Sequence, residues 1–253
     1  MDRPIGIIDS GVGGLSIWQE LVKLLPWEDI IYLADQRNFP YRAKQKKELY
    51  RIVSDNVKFL VKQKAKLIVL ACNTATVHTL DGLRQNFPVP IVGVVPVVKK
   101  AAELSRKKKI IVLATSSTAQ SNYLKNLVKK FAGDCQVFIY ALDEVIDQIE
   151  NLQRIVITGK IANLSKKDVD VVALGCTHYG FIKPQLQKLF GKKVRVLEPA
   201  GAVTRQVKRV LTNNQTLAGK RTPRYTFYTT GDAIKFNKQL RLLLKKEFLA
   251  KKP

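Results

Sequence analysis

Two short segments of the chain carry one device: Leu70-Ala71-Cys72-Asn73-Thr74 and Leu174-Gly175-Cys176-Thr177-His178. Each follows an apolar run, Leu67 to Leu70 and Val171 to Leu174, and each leads into a stretch of helical character. A thiol then stands at the carboxyl end of a strand, just ahead of a helix N-terminus, where the helix dipole favours a thiolate. Open α/β sheets bind their ligands along that edge. Of the three cysteines, two belong to this repeat; the third, Cys135, lies beside Val137-Phe138-Ile139 and reads as a small apolar residue. A matched pair of thiols can remove a proton from one face of a carbon and return one to the other, each acting as base in one direction and acid in the reverse. That is stereoinversion. It requires no metal and no organic cofactor if hydrogen bonds stabilise the developing carbanion.

Other residues could assist. Asp9-Ser10-Gly11-Val12-Gly13-Gly14 leads from the first apolar run into the first helix, and its backbone N–H groups suit an anion. The spacing is neither G-x-x-x-x-G-K-[ST] nor G-x-G-x-x-G. Asp9 is a carboxylate at the end of a central strand, a place where it needs water or a partner. Asn73, Thr74, Thr177 and His178 add amide, hydroxyl and imidazole groups beside the cysteines. His178, two residues from Cys176, could tune that thiol or move protons; His78 falls inside a helix and is expected to be structural. Thr115-Ser116-Ser117-Thr118 and Ser121 follow another strand and could cap a helix or bind a carboxylate. Pro40-Tyr41-Arg42 reads as a turn or as a wall over the site. Glu150 shares a helix with Asp143, Glu144 and Asp147, and pattern alone does not single it out.

These residues need a frame, and the chain supplies one. Strand-length apolar runs fall at Ile5–Asp9, Ile30–Ala34, Leu67–Ala71, Ile91–Val94, Ile110–Ala114, Gln136–Tyr140, Val169–Leu174, Val194–Leu197 and Tyr225–Thr229. Between them, helical periodicity predicts helices near Gly14–Leu25, Lys44–Lys64, Ala75–Asn86, Ser117–Phe131, Leu142–Gln153, Ile182–Leu189, Ala202–Thr212 and Ala233–Phe248. Continuous rather than alternating apolar strands, separated by helices, argue for parallel sheets buried on both faces. The repeated cysteine segment favours two sheets over one, with a boundary near Pro96–Lys109.

Composition narrows the setting. At 253 residues and 46% hydrophobic, the chain can bury one or two real cores. No apolar stretch reaches the roughly 18 residues of a membrane helix. Met1-Asp2-Arg3-Pro4 passes straight into Ile5-Gly6-Ile7-Ile8 without the pattern of a signal peptide, so a cytoplasmic protein with free thiols is expected. Lys and Arg number 44 against 20 Asp and Glu, a formal charge of +24. The basic residues are scattered in short clusters without a nucleic-acid motif, which reads as a solvated surface with contact to nucleic acid as the minor alternative.

At these residues the chain resembles the glutamate racemases, cofactor-independent enzymes of the aspartate/glutamate racemase superfamily that make D-glutamate for peptidoglycan. The resemblance rests on Ile8-Asp9-Ser10-Gly11-Val12-Gly13-Gly14-Leu15-Ser16, Tyr32-Leu33-Ala34-Asp35 with Pro40-Tyr41, and Ala71-Cys72-Asn73-Thr74-Ala75. Further on it includes Gly93-Val94 with Pro96, Ala114-Thr115 with Thr118 and Ser121, Leu174-Gly175-Cys176-Thr177-His178-Tyr179, and Thr230-Gly231-Asp232. It implies that Cys72 and Cys176 are the acid/base pair, that Asp9 assists Cys72 and His178 assists Cys176, and that Glu150 is a third helper. Asp9, Ser10, Tyr41, Arg42, Asn73, Thr74, Thr115, Thr118, Thr177 and His178 would hold the amino acid. The implied fold is two similar parallel-sheet α/β domains related by pseudo-symmetry, 1–97 plus 208–253 and 98–207, with the active site in the cleft between them. A homodimer, with no cofactor and no metal, is also implied. Two positions depart from the family pattern: Arg42 stands where Pro-Tyr-Gly has its glycine, and Leu142-Asp143 where Cys-Pro is usual. Racemisation of another acidic amino acid such as aspartate, or a basic binding protein on a racemase-like fold, are the alternatives.

Overall fold

The computed structural model describes residues 3–156 and 159–253. By contacts the chain divides into two compact units, Met1–Val94 with Ala200–Pro253, and Val95–Pro199. The first unit opens with β1 (Ile5–Asp9), α1 (Leu15–Leu24), β2 (Ile30–Ala34), α2 (Lys46–Lys62), β3 (Leu67–Leu70), α3 (Asn73–Asn86) and β4 (Ile91–Gly93). The second contains α4 (Val98–Leu104), β5 (Lys109–Ala114), α5 (Ser116–Ala119), α6 (Asn122–Phe131), β6 (Gln136–Ala141), α7 (Asp143–Glu150), α8 (Gly159–Leu164), β7 (Val171–Gly175), α9 (Lys183–Phe190) and β8 (Arg195–Leu197). The chain then returns to the first unit with α10 (Ala200–Asn213), β9 (Tyr225–Thr229), α11 (Ala233–Leu244) and β10 (Ala250–Lys251).

Every strand pairing is parallel. The first sheet runs β10-β9-β2-β1-β3-β4 and the second β6-β5-β7-β8. One pattern recurs in both. The chain steps outward from β1 to β2, then crosses back to place β3 on the other side of β1; β5, β6 and β7 repeat that order. Each sheet thus has a switch point between its first and third strands, the place where open α/β sheets receive ligands. Cys72 follows β3 and Cys176 follows β7, so each thiol stands beside its own switch point.

Helices cover the strands as the continuous apolar runs require: β1, β2, β3 and β7 are buried at every position. In the first unit α2 lays Leu49, Val53, Val57 and Leu60 against Ile8, Ile68 and Leu70, while Trp18 of α1 meets the rings of Tyr225, Phe227 and Phe248. In the second, Val98, Ala101 and Leu124 close over Ile110, Val112 and Val171. Three buried carboxylates anchor the returning segment. Glu28 accepts the Ala218 N–H at 2.8 Å and pairs with Lys66 at 2.6 Å; Asp29 accepts the Arg224 N–H at 2.6 Å and pairs with Arg221; Asp35 accepts the Thr230 hydroxyl at 2.7 Å.

Three local features differ from the expectations raised by the sequence. The helix expected over Ser117–Phe131 is two helices, because Ser121 accepts the Leu124 N–H and starts a new one. The two-residue β10 and the short α8 leave too little chain for a periodic signal. And Cys176 opens a 3-10 turn, Thr177–Ile182, rather than an α-helix. Pro184, which has no N–H to give a helix interior, confines α9 to starting at Lys183.

Candidate active site

The Cys72 half-site is built on the ends of β1 and β3. Asp9 is fully buried, and its Oδ1 accepts the Gly11 N–H at 2.8 Å, closing the turn that follows the strand. Tyr32 donates to the Gly11 carbonyl at 2.8 Å and braces the same turn from β2. Gly14 lets α1 begin this close to the strands: a Cβ there would lie 2.7 Å from that of Ala71 and 3.1 Å from that of Asp9. Ser10 Oγ lies 3.8 Å from Cys72 Sγ and donates toward it. Cys72 is the residue before α3 and gives that helix no side-chain cap, so its sulfur stands at the helix N-terminus without capping it. Asn73 is only 2% exposed, yet neither its Nδ2 nor its Oδ1 has a hydrogen-bond partner among the described residues. Folded proteins rarely leave a buried amide unmatched, so both of its polar atoms are open to a ligand or an ordered water. Thr74 is buried beside it.

Beneath the turn that carries Tyr41 and Arg42 lies a carboxylate to which the sequence alone assigned no role. Asp35, fully buried, accepts the Tyr41 hydroxyl at 2.7 Å, the Asn56 amide at 2.9 Å, the Asn38 amide at 3.0 Å and the Thr230 hydroxyl at 2.7 Å. Burial, then the nearby Asp35 charge, hold the Tyr41 phenol well above its ordinary pKa, with Cys72 and Asp9 adding to the effect. The phenol therefore stays a neutral donor committed to Asp35, and its oxygen also accepts from Asn56 at 3.1 Å. What this turn can offer a ligand is backbone and Arg42, which is half-buried with its guanidinium carbon 5.9 Å from the Phe39 ring centre. The signals were present. Asp35 follows an apolar strand just as Asp9 ends one, and Asn56 interrupts the apolar stripe of α2.

The Cys176 half-site is a relay of three buried side chains. Cys176 Sγ lies 3.7 Å from His178 Nδ1, and His178 Nε2 lies 2.7 Å from Glu150 Oε1. Burial opposes a cationic ring here. Hydrogen bonds to Cys176 and Glu150, with the attraction of both charges, outweigh it and carry His178 well above the ordinary imidazole range. Glu150, which pattern could not distinguish from its acidic neighbours, is the last residue of α7 and one of the inward-facing set with Val145, Ile146 and Ile149. Thr177 is 3% exposed. Thr115 and Thr118 sit at the end of β5, where Thr115 caps α5 by accepting the Thr118 N–H at 3.1 Å while its hydroxyl donates to Thr118 Oγ1 at 2.9 Å. Of the two readings open for this cluster, the capping one accounts for these contacts. His78 is partly buried on α3, and desolvation followed by the charge of Lys46 lowers its pKa. Cys135 packs against the second unit's core, where burial raises its pKa.

Fold and half-sites define a protein of two parallel α/β units, each with a buried cysteine beside the switch point of its sheet. A sequence profile described as Asp/Glu/Hydantoin racemase matches residues 5–207. The chain belongs to this family, and so stands among the racemases, which are isomerases. It is 38% identical over 248 residues to a glutamate racemase of Herpetosiphon aurantiacus, covering 94% of this chain and 96% of that one. The structure of glutamate racemase isoform RacE1 from Bacillus anthracis superposes with a TM-score of 0.88 at 29% identity, over 99% of this chain and 97% of that one. Glutamate racemase from Francisella tularensis, solved in complex with D-glutamate, superposes at 0.82 and 28% identity, over 98% and 96%. Among the described residues no helix is long and apolar enough to cross a membrane.

Proposed function

We propose that the chain interconverts L- and D-glutamate by proton transfer between Cys72 and Cys176. The observation that carries this reading is a buried cysteine with its own polar support beside each switch point: Ser10 and the unmatched Asn73 amide for one, the His178–Glu150 pair for the other. One thiolate takes the α-proton and becomes a thiol; the other thiol delivers a proton to the opposite face and becomes a thiolate. The reverse reaction exchanges the roles, so protons balance in each turnover. Negative charge developing on the α-carbon and its carboxylate meets the first-turn N–H groups of α3, the Asn73 amide and the Thr74 and Thr177 hydroxyls. His178, held by Glu150, stands beside Cys176 Sγ as its proton-handling partner, and Asp9 serves the Cys72 side. We assign the substrate's second carboxylate to Arg42 and the backbone of its turn, with the Thr115 and Thr118 hydroxyls as further donors. In this reading the enzyme is a cytoplasmic homodimer that supplies D-glutamate for peptidoglycan.

The test is to follow optical activity and α-proton exchange of L- and D-glutamate in deuterated water with the purified full chain. Loss of rotation from either enantiomer, with deuterium entering the α-position, is expected. Cys72→Ser and Cys176→Ser should each lower racemisation by a factor on the order of 10²–10⁴. No change in rotation and no exchange with glutamate would overturn the proposal, and the same effects on aspartate alone would reassign the substrate.

A further inference from the structure

We infer that the second unit carries an additional binding site, apart from its cysteine, for a small molecule with a flat apolar body and an anionic carboxylate or phosphate group. An open cavity of about 500 Å³ lies at the carboxyl end of β6, lined by Tyr140, Leu142, Asn163, Leu164, Lys166 and Lys167 among others. That size falls within the range of small-molecule sites. It exists because β6 is an edge strand. Val137 and Ile139 pack into the core, which by strand alternation turns Phe138 and Tyr140 to the other face, where both stay partly exposed.

The lining is selective. Leu142 and Leu164 are buried and give the cavity an apolar floor. Lys167 holds its ammonium 4.4 Å from the Phe138 ring centre. Neither Lys166 nor Lys167 forms an ion pair among the described residues, and their acidic neighbour Asp168 is occupied by Lys107 and Lys109. Lys108 and Lys183 of the same unit are paired as well, with Asp134 and Glu198. Two ammonium groups that form no ion pair among the described residues, beside the partly exposed Tyr140 ring, suit an aromatic anion rather than a neutral or cationic ligand.

The cavity wall also touches the half-site through one turn. The Leu142 N–H donates to the Ala114 carbonyl at 3.2 Å, and the Asp143 carboxylate accepts the Ser116 N–H at 3.2 and 3.3 Å. The same turn opens α7, whose last residue, Glu150, holds His178. An occupant pressing on Leu142 therefore acts on the Thr115–Thr118 segment and on the support of His178, which makes this an effector site.

Binding of 1-naphthoate, 1-naphthyl phosphate and neutral 1-naphthamide to the full chain, followed by calorimetry with amide hydrogen exchange, tests the inference without any turnover. The anions should bind about tenfold or more tightly than the amide, and Lys166→Glu with Lys167→Glu should lose about that factor. Leu164→Trp, which fills the cavity, should exclude all three. Saturating naphthoate should slow exchange across residues 141–150 and 114–118. Failure of the anions to bind, equal binding of the amide, or unchanged affinity in both variants with native circular dichroism would overturn the site. Unchanged exchange at saturation would overturn its coupling to the half-site. A preference between naphthoate and naphthyl phosphate identifies the anionic group that the site takes.

Discussion

The chain has two histidines, so imidazole NMR resolves the decisive interaction of the Cys176 half-site. Desolvation pushes His178 down, but hydrogen bonds to Cys176 and Glu150 raise it further than burial lowers it; His78 is pushed down by burial and Lys46. The two rings should titrate on opposite sides of the free value of about 6.5. Glu150→Gln keeps the shape of the 2.7 Å contact and removes its charge. A hydrogen bond to a charged group contributes about 1.5–3 kcal/mol net, and with side chains only 4% and 5% exposed no discount for solvent applies. The loss falls on the imidazolium alone, so the His178 titration moves down while that of His78 stays in place. The stability difference between wild type and Glu150→Gln obeys the same linkage. A raised pKa contributes stability fully present below about pH 6.5 and lost as pH rises through the folded value. Denaturant melts should show a gap of about 2 kcal/mol on the acid side that closes in alkali. In racemisation the same energy is a fall in kcat/KM of about 10- to 100-fold, equal in both directions because enantiomers have equal free energy. His178 titrating below His78, or a His178 curve unmoved by Glu150→Gln, refutes the reasoning.

Three further outcomes are expected. Asn73→Ala removes a buried amide that has no partner among the described residues, so thermal unfolding should show a fold at least as stable, by up to about 1 kcal/mol, while KM for glutamate rises about tenfold; a destabilised variant with unchanged KM contradicts this. Tyr41→Phe deprives Asp35 of its 2.7 Å donor and should cost about 1.5–3 kcal/mol in urea unfolding. At Asp29, burial raises the carboxyl, but the Arg224 N–H and then Arg221 lower it further. The stability gap between wild type and Asp29→Asn should therefore be full above about pH 3.9 and vanish as pH falls through the folded value.

Much of the frame was legible because buried parallel strands leave uninterrupted apolar runs. Ile5–Asp9, Ile30–Ala34 and Tyr225–Thr229 coincide with β1, β2 and β9 to the residue. Both cysteines were legible as residues placed just after such runs. The 3-10 turn after Cys176 was not, since apolar periodicity does not separate such a turn from a helix and Pro184 acts from further down the chain. Nor was the pairing of Glu150 with His178, because a contact across 28 positions depends on how α7 packs rather than on local pattern. Asp35 shows the opposite case. Its signal was the same as that of Asp9, a carboxylate at the end of an apolar strand, and only its partners were out of reach, among them Thr230 from the far end of the chain.

The return of the chain to the first unit has a consequence for biosynthesis. The second unit is one uninterrupted stretch and is complete once residue 199 has left the ribosome, whereas the first waits for strand β9 to cover the side of β2. Until then Glu28, Asp29 and Asp35 lack the donors they receive from Ala218, Arg224 and Thr230. The half of the protein synthesised first is thus the half finished last. During that interval β2 is an open edge available to other chains, so a translational pause or truncation late in the message endangers the half that was made earliest.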